Sequence, residues 1–335
     1  MLCSRAYRYY LLAVTVATCG MISAGAARAD NTLRWKFKEG DTLNYVMDRE
    51  TDMKIDLSGS LIEIKSGMIF DTSWKVKSVD ADGTASIEQT VDRIQMKMDS
   101  PLGGGLDYDS KKPGSGTGQI WDMMGPMIES LVGQTFTLKA TATGQVSDIT
   151  LPEKVTEQLA KQQGGGGGGG RRGGGGGMGG MMGGLNENSI KEMITRSIVP
   201  LPEKAVAPDV KWSQSFAEEM RGAGVKKTEV TYSTSEKTSA EGHEIQKIAA
   251  KSDITFEPAE ESQVDIEIEE QEGDMTIYFD VNAGRTLKAE GVQKQVIAIT
   301  APNREITQEV EEKVTVREGK SDDGKGADKS AKDEK

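Results

Sequence analysis

Few side chains in this sequence are placed to act as acid, base or nucleophile. His243 is the only histidine, and it follows Gly242 in a predicted turn. A catalytic histidine needs a nucleophile and an orienting group within hydrogen-bonding distance, and the sequence identifies neither partner. We therefore expect His243 to be a structural or surface residue.

Two pairs of aspartates have the short spacing of candidate cation ligands. Asp80 and Asp82 precede Gly83, but the distal glutamate of a calcium loop is missing, so this pattern favours a hairpin turn. Asp107 and Asp109 lie in a glycine-rich stretch. A hard-cation site is one interpretation of that second pair, and a solvated loop is the favoured one.

Methionine thioethers are a further candidate, because they are good ligands for monovalent copper. Two clusters occur: Met178, Met181 and Met182 in the first, and Met123, Met124 and Met127 in the second. The first cluster is set in polyglycine, which offers no framework to hold a coordination geometry. The second has the spacing of a helix and is predicted to fill space in a core or lid. We predict no metal site and no cofactor.

The first 29 residues are predicted to be a cleaved signal peptide. Arg5 and Arg8 precede an uncharged run of apolar and small residues, and Ala27-Arg28-Ala29 fits the small-x-small cleavage rule. The mature chain would begin at Asp30. We therefore expect a periplasmic or secreted protein without a transmembrane anchor after cleavage.

Thiol content and charge exclude several classes of function for the mature chain. Both cysteines, Cys3 and Cys19, lie in the predicted signal, so disulfides, thiolate nucleophiles and cysteine-bound zinc are excluded after cleavage. The net charge of the chain is -12, and loss of the three signal arginines makes it -15. A negative field of this size repels phosphate backbones, so nucleic acid is not an expected partner.

Alternating apolar and polar residues predict β-strands over most of the mature chain. Leu33, Trp35 and Phe37 predict the first strand, and the dipeptides Asp82-Gly83 and Glu241-Gly242 predict hairpin turns at similar places in two halves. The predicted fold is α+β but mainly β. It is a curled antiparallel sheet or partial barrel in two similar halves, covered by a helical hairpin.

The helical hairpin is predicted on either side of a glycine tract. Val155 and Leu159 lie four residues apart on one helix face before the tract, and Ser189 with Glu192 fits a capping box after it. The glycine tract itself cannot bury apolar surface and is predicted to be a flexible linker. The predicted segments are 1–29 signal peptide, 30–163 N-terminal β-rich half with a helix, 164–188 linker, 189–318 helix and C-terminal β-rich half, and 319–335 disordered charged tail.

Several short segments of the sequence are distinctive: residues 91–98 (VDRIQMKM), Ser100-Pro101, residues 107–110 (DYDS), residues 35–37 (WKF), residues 39–41 (EGD) and the Leu-Pro-Glu-Lys segment before Trp212. Together they resemble an uncharacterised family of exported bacterial proteins. The similarity covers most of the mature chain and departs mainly at the glycine tract. The family has no assigned activity, so the resemblance implies no functional residue. At the level of fold, a curled sheet with helical cover is similar to periplasmic lipoprotein carriers.

Three functional hypotheses follow, and the first is favoured. It is an exported, non-enzymatic protein that shelters a lipid or other apolar ligand between the concave sheet face and the helices. The alternative is an envelope interaction or scaffold protein whose sheet encloses a plain packed core. The third is an enzyme based on carboxylates, which would use Asp107 or Asp109. We predict no catalytic residue, and the sequence does not identify the ligand-binding residues.

Overall fold

The computed structural model describes residues 32–321 apart from 58, 102–104, 165–185, 207–209, 221–222, 241 and 303. The predicted signal peptide and the first methionine cluster lie outside the described residues. The same holds for most of the predicted linker and tail.

Twelve strands and three helices are described. The strands are β1 Thr42–Leu57, β2 Ser60–Val79, β3 Ala85–Asp99, β4 Leu106–Asp109, β5 Thr135–Ala140, β6 Val146–Thr150, β7 Lys211–Met220, β8 Gly224–Ala240, β9 His243–Pro258, β10 Asp265–Asp280, β11 Arg285–Ala301 and β12 Arg304–Glu318. The helices are α1 Gln119–Leu131, α2 Glu153–Gly164 and α3 Glu187–Arg196.

The strands form one antiparallel sheet in the order β6-β5-β3-β2-β1-β12-β11-β10-β9-β8-β7, with β4 added beside β3. Each half of the chain is a run of successive neighbours, and the β1–β12 pair joins the two runs. The edges are β6 and β7, which the chain connects through α2 and α3. The predicted mainly-β, curled antiparallel fold is confirmed.

The core fills the inner face of the sheet at one end, called here the near end, where the β2–β3, β5–β6 and β10–β11 turns lie. Aromatic rings dominate it: the Tyr45 and Trp74 rings are 4.7 Å apart, and the Trp35 ring meets Phe279 edge-on at 5.6 Å. Apolar residues of all three helices belong to the same cluster. Helix α1 packs against α2, and α3 packs against β7. The helices therefore cover the near end.

The prediction of a first strand at Leu33 to Phe37 is wrong, although alternate side chains of this segment are buried as the pattern predicts. Leu33 and Trp35 are buried, but residues 32–38, called here the strap, pair with no single strand. Instead the Trp35 amide donates to Ala142 at 2.8 Å and the Lys36 amide donates to Gly284 at 3.0 Å. Any extended backbone points alternate side chains to opposite faces, whether or not a neighbouring strand is present.

The predicted capping box of α3 is displaced by three residues. Asn186 is the cap: its side chain accepts a bond from the Ser189 amide at 2.9 Å, and the Ser189 hydroxyl accepts one from the Asn186 amide at 2.9 Å. Glu192 instead pairs with Arg196 at 2.6 Å. The helix therefore begins at Glu187, before the predicted end of the linker at residue 188.

Residues 319–321, predicted to be the start of the disordered tail, are instead bonded to the sheet. The Gly319 amide donates to the Asn44 carbonyl at 2.9 Å, and the Ser321 hydroxyl donates to the Asp71 carboxylate. These bonds carry the chain from the end of β12 over β1 to β2. Residues 322–335 lie outside the described residues.

Candidate functional site

His243 bonds a buried carboxylate in the turn after β10. Its Nδ1 lies 2.5 Å from Asp280 Oδ2, and Asp280 is only 1 % exposed. Asp280 also accepts bonds from the amides of Asn282 and Ala283. Burial acts to raise the pKa of Asp280, but the bonds from Ala283, His243 and Asn282 outweigh it and hold that pKa below its ordinary value. These contacts support a structural role for His243, because they stabilise the turn between β10 and β11.

The hairpin prediction at Asp80 and Asp82 is confirmed. The Asp82 carboxylate accepts a bond from the Thr84 amide at 3.0 Å, and the Asp80 amide donates to the Thr84 carbonyl at 2.8 Å. Gly83 has the positive φ that the turn requires. In the described part of the chain, no group of three or more His, Cys, Asp or Glu residues is arranged to hold a metal ion.

The prediction of a solvated loop around Asp107 and Asp109 is wrong. Both residues lie on β4, and Asp109 forms a two-bond ion pair with Arg93 of β3: Nε to Oδ1 is 2.9 Å and Nη2 to Oδ2 is 2.8 Å. The side chains of Arg93 and Asp109 are only 6 % and 4 % exposed. The Arg93 hydrogen bonds lower the pKa of Asp109 to about 2. An arginine in this position repels cations, which argues against the hard-cation interpretation.

The ion pair belongs to a polar cluster on the outer face of the sheet. Arg93 Nη1 donates to Ser321 Oγ at 3.3 Å, and Ser321 donates to Asp71 Oδ2. Asp71 Oδ1 is buried and has no hydrogen-bond partner among the described residues. The cluster fastens β2, β3, β4 and the chain after β12. Residues 91–98 and 107–110 lie side by side here, because β3 pairs with β4.

The space between the helices and the sheet is filled by side chains. Val155 of α2, Ile190 of α3 and Phe136 of β5 are fully buried in one cluster. A cleft lined by the strap and the turn at Ala283 has a volume of about 100 Å³. Pockets for organic ligands usually exceed about 300 Å³, so this cleft is too small for a lipid. The described apolar side chains of α2 and α3 therefore pack into the near-end core.

The opposite end of the sheet is built differently. Pairing between β9 and β10 ends at Lys251 and Asp274 within the described strands, whereas β10 stays paired with β11 as far as Asp265. The far parts of β2, β1, β12, β11 and β10 thus form a five-stranded projection, called here the far arm. Its ranges are 60–66, 51–57, 304–312, 293–301 and 265–273.

One face of the far arm is mainly apolar, with the buried amide side chain of Gln308 at its centre. The apolar residues of this face are called here the isoleucine face. It consists of Met53, Ile55, Ile62, Ile64, Ile266, Ile268, Ile297, Ile299, Ile306 and Val310. Ile55 and Ile306 are each 5 % exposed and the rest are half-buried, yet none belongs to the core cluster of the near end. On the opposite face, Leu61 is 63 % exposed among charged neighbours. Ile55 lies on the same side of β1 as the core residues Leu43 and Tyr45, so the apolar face is the inner, concave one.

A polar band separates the isoleucine face from the core. Strand register places Ser66, Thr51, Glu312 and Gln293 side by side across β2, β1, β12 and β11. Arg49 and Gln295 adjoin that row, and these six residues are called here the polar girdle. Arg49 Nε lies 3.5 Å from Glu312 Oε1. Neither the isoleucine face nor the polar girdle was predicted from the sequence, because both depend on the register between strands that are far apart in sequence.

No helix in the described ranges is long and apolar enough to cross a membrane. Three solved structures are similar to this chain at 8 % identity. They are DynF from the dynemicin biosynthesis pathway of Micromonospora chersina (94 % of this chain, 95 % of that chain, TM-score 0.21), an outer membrane channel from Pseudomonas putida F1 (87 %, 98 %, 0.23) and a DUF1329 family protein from Desulfovibrio piger (80 %, 83 %, 0.13). Scores this low establish no shared fold and carry no functional conclusion.

Sequence comparison gives the firmer result. No curated protein matches the chain. A family model described as a family of unknown function matches residues 82–290, which is more than half of the chain and includes both strands of the Arg93–Asp109 ion pair. The predicted resemblance to an uncharacterised family is confirmed, and the protein belongs to the family of unknown function DUF6263.

Proposed function

We propose that this protein is an exported, non-enzymatic binding protein that holds an apolar chain, such as a lipid acyl chain, against the isoleucine face. Export follows from the predicted signal peptide. The contacts of two candidate catalytic groups support the non-enzymatic part of the proposal: His243 bonds Asp280 in a turn, and Asp109 is paired with Arg93.

The isoleucine face is the single observation that carries the proposal. Ten apolar side chains lie on one concave surface, and none contributes to the near-end core. Burying apolar surface contributes about 25 cal/mol per Å², so covering a face of this kind supplies a driving force for binding. Contiguous apolar surfaces outside a core mark ligand or partner sites.

The proposed site differs from the one expected from the sequence. The sequence hypothesis placed the ligand between the sheet and the helices, where Val155 and Ile190 are fully buried against the core. The far arm instead offers apolar side chains that no helix covers among the described residues. The proposed ligand therefore lies at the far end of the concave face.

Two neighbouring residues of β2 make a matched test. Ile62 lies on the isoleucine face opposite Ile55, whereas Leu61 points to the outer face. We expect Ile62→Asp to weaken binding of a monoacyl lipid at least 10-fold, and Leu61→Asp to leave it unchanged. Titration of protein beginning at Asp30 and native mass spectrometry before and after organic extraction measure this. Circular dichroism and the unfolding midpoint check that both variants fold.

Two results would contradict the proposal. One is a wild-type protein that carries no lipid and acquires none from a lipid extract. The other is an Ile62→Asp variant that folds and binds as tightly as Leu61→Asp.

A protein-interaction role is the second candidate, and the edge of the far arm favours it. From Asp265 to Gly273, β10 has a ladder partner on one side only among the described strands. Such an edge can accept another strand. Asp265 and Glu267 are exposed along it. Crosslinking in cells that captures one defined protein at these positions, with no lipid on the purified protein, would favour this role.

A further inference from the structure

We infer that the polar girdle is a head-group site, and that the ligand is a single-chain amphiphile with a zwitterionic head. This inference rests on the proposed function, because it assigns the other end of a ligand whose chain covers the isoleucine face.

The girdle interrupts the apolar pattern on the inner side of three neighbouring strands. On β1, Arg49 and Thr51 stand between Met47 and Met53. On β12, Glu312 stands between Val310 and Val314, and on β11 the inner positions are Gln293 and Gln295. Register brings Thr51, Glu312 and Gln293 to one level of the sheet, and Arg49 and Gln295 lie at the two adjoining levels. They therefore form a continuous band and are not isolated substitutions.

Polar side chains on an inner wall need polar partners. Burial of an amide without a hydrogen bond destabilises the folded protein. Gln295 Nε2 is buried and has no hydrogen-bond partner in the described residues. The sequence nevertheless places amides, hydroxyls and charges at this level. A polar group of a ligand, seated at the girdle, would bond them.

The charges of the girdle select the kind of head. It has one cation and one anion, Arg49 and Glu312, whose side chains are 44 % and 26 % exposed. Glu312 would repel an anionic head, and Arg49 would repel a cationic one. A head with both charges can place its phosphate at Arg49 and its ammonium at Glu312. The net charge of the chain beginning at Asp30, which is -12 less the three signal arginines, or -15, adds a penalty for anionic ligands.

The dimensions fit one acyl chain. From Thr51 to Leu57, β1 extends over six residue steps, which is about 20 Å at about 3.3 Å per residue. One leaflet of a bilayer has a hydrocarbon depth of about 15 Å, half of the usual core thickness. An extended acyl chain therefore fits between the girdle and the tip of the arm with its head at the girdle.

Head-group preference is the test. Lysophosphatidylcholine, lysophosphatidylglycerol and monoacylglycerol with one common acyl chain are titrated into the protein beginning at Asp30. We expect the wild type to bind lysophosphatidylcholine about 10-fold more tightly than lysophosphatidylglycerol. Glu312→Gln should remove most of that preference by removing the repulsion. Arg49→Gln should weaken both phospholipids several-fold and leave monoacylglycerol unchanged.

The outcomes separate this inference from the proposed function. If all three lipids bind equally and neither variant changes their ratio, the head-group site is wrong although the chain site stands. If no lipid binds, both proposals fail. If native mass spectrometry shows a dimer that Ile62→Asp converts to a monomer, and lipid is absent, a second copy of the chain covers the isoleucine face and the inference is overturned.

Discussion

The buried ion pair of Arg93 and Asp109 places two charges on a side of a sheet that is normally exposed. The chain after β12 crosses this face and buries the pair, with Ser321 bonded to both Arg93 and Asp71. Two parallel bonds between guanidinium and carboxylate are the strong form of such a pair. Removing one partner from a buried pair costs about 3–5 kcal/mol, because the remaining charge stays buried.

The pKa of Asp109 predicts a loss of stability in acid. Because that pKa is depressed to about 2 from an ordinary 3.8, the ion pair stabilises the folded state fully above about pH 4. Its contribution is lost as the pH falls from about 4 towards 2. We expect Asp109→Asn to lower the free energy of unfolding by about 3 kcal/mol at pH 7, and by much less near pH 2. Urea unfolding at several pH values measures the difference.

Asp107 is the control for this measurement, since it is an exposed aspartate on the same strand. Asp107→Asn should change the free energy of unfolding by less than about 0.5 kcal/mol at any of these pH values. A difference between wild type and Asp109→Asn that stays constant from pH 7 to pH 2 would contradict the assigned pKa.

At the scale of single elements, α3 depends on its first residues. Asn186 and Ser189 satisfy each other's backbone amides, which otherwise lack partners at a helix start. Ile190 and Ile194 then face the core from the next turn. The cap therefore sets where the helix begins and holds the buried face in position.

Substitution of the cap distinguishes the observed start from the one expected from the sequence. We expect Asn186→Ala to lower the free energy of unfolding by about 1 kcal/mol, because the Ser189 amide loses its acceptor. Glu192→Ala removes only an exposed pair with Arg196 and should cost about 0.3 kcal/mol. Urea unfolding of both variants measures this. A larger loss of unfolding free energy for Glu192→Ala than for Asn186→Ala would indicate that Ser189 is the cap.

At the scale of the whole molecule, the strap joins parts of the sheet that are distant in sequence. Trp35 reaches the β5–β6 turn through its amide and reaches Val199 through its indole nitrogen, at 2.9 Å. Gly144 and Gly284 stand at the two contact points with positive φ, and a Cβ at either would overlap the Val199 carbonyl or Lys36. Only glycine allows so close an approach there.

Loss of the Trp35 side chain should therefore loosen both the β5–β6 turn and the segment after α3. We expect Trp35→Ala to lower the free energy of unfolding by about 3–5 kcal/mol, because a fully packed aromatic ring is removed. Amide hydrogen exchange should become faster at the β5–β6 turn and at Leu201, whose amide donates a hydrogen bond to the Thr143 carbonyl. Lys36→Ala, which keeps the backbone bonds of the strap, should leave both regions protected. Faster exchange confined to the strap would contradict this role.

Local pattern was enough to predict most strands and turns. Alternating apolar and polar residues identified strands over most of the chain, and Asp82-Gly83 identified a tight turn, because these signals act within a few residues. The strap and the cap of α3 were misplaced. The strap is held by contacts with residues far away in the chain. The cap of α3 is one of several neighbouring polar side chains, and the sequence does not show which of them bonds the first amides.

The amino-acid sequence by itself determined that the protein is mainly β, where its hairpins turn and which family it belongs to. Only the tertiary structure decided that Arg93 meets Asp109, that β1 pairs with β12, and that an isoleucine face and a polar girdle lie on one inner surface. Alternation assigns each side chain to one of two faces, but it carries no information about register between strands that are far apart. Packing of the folded chain sets that register, and the candidate site depends on it.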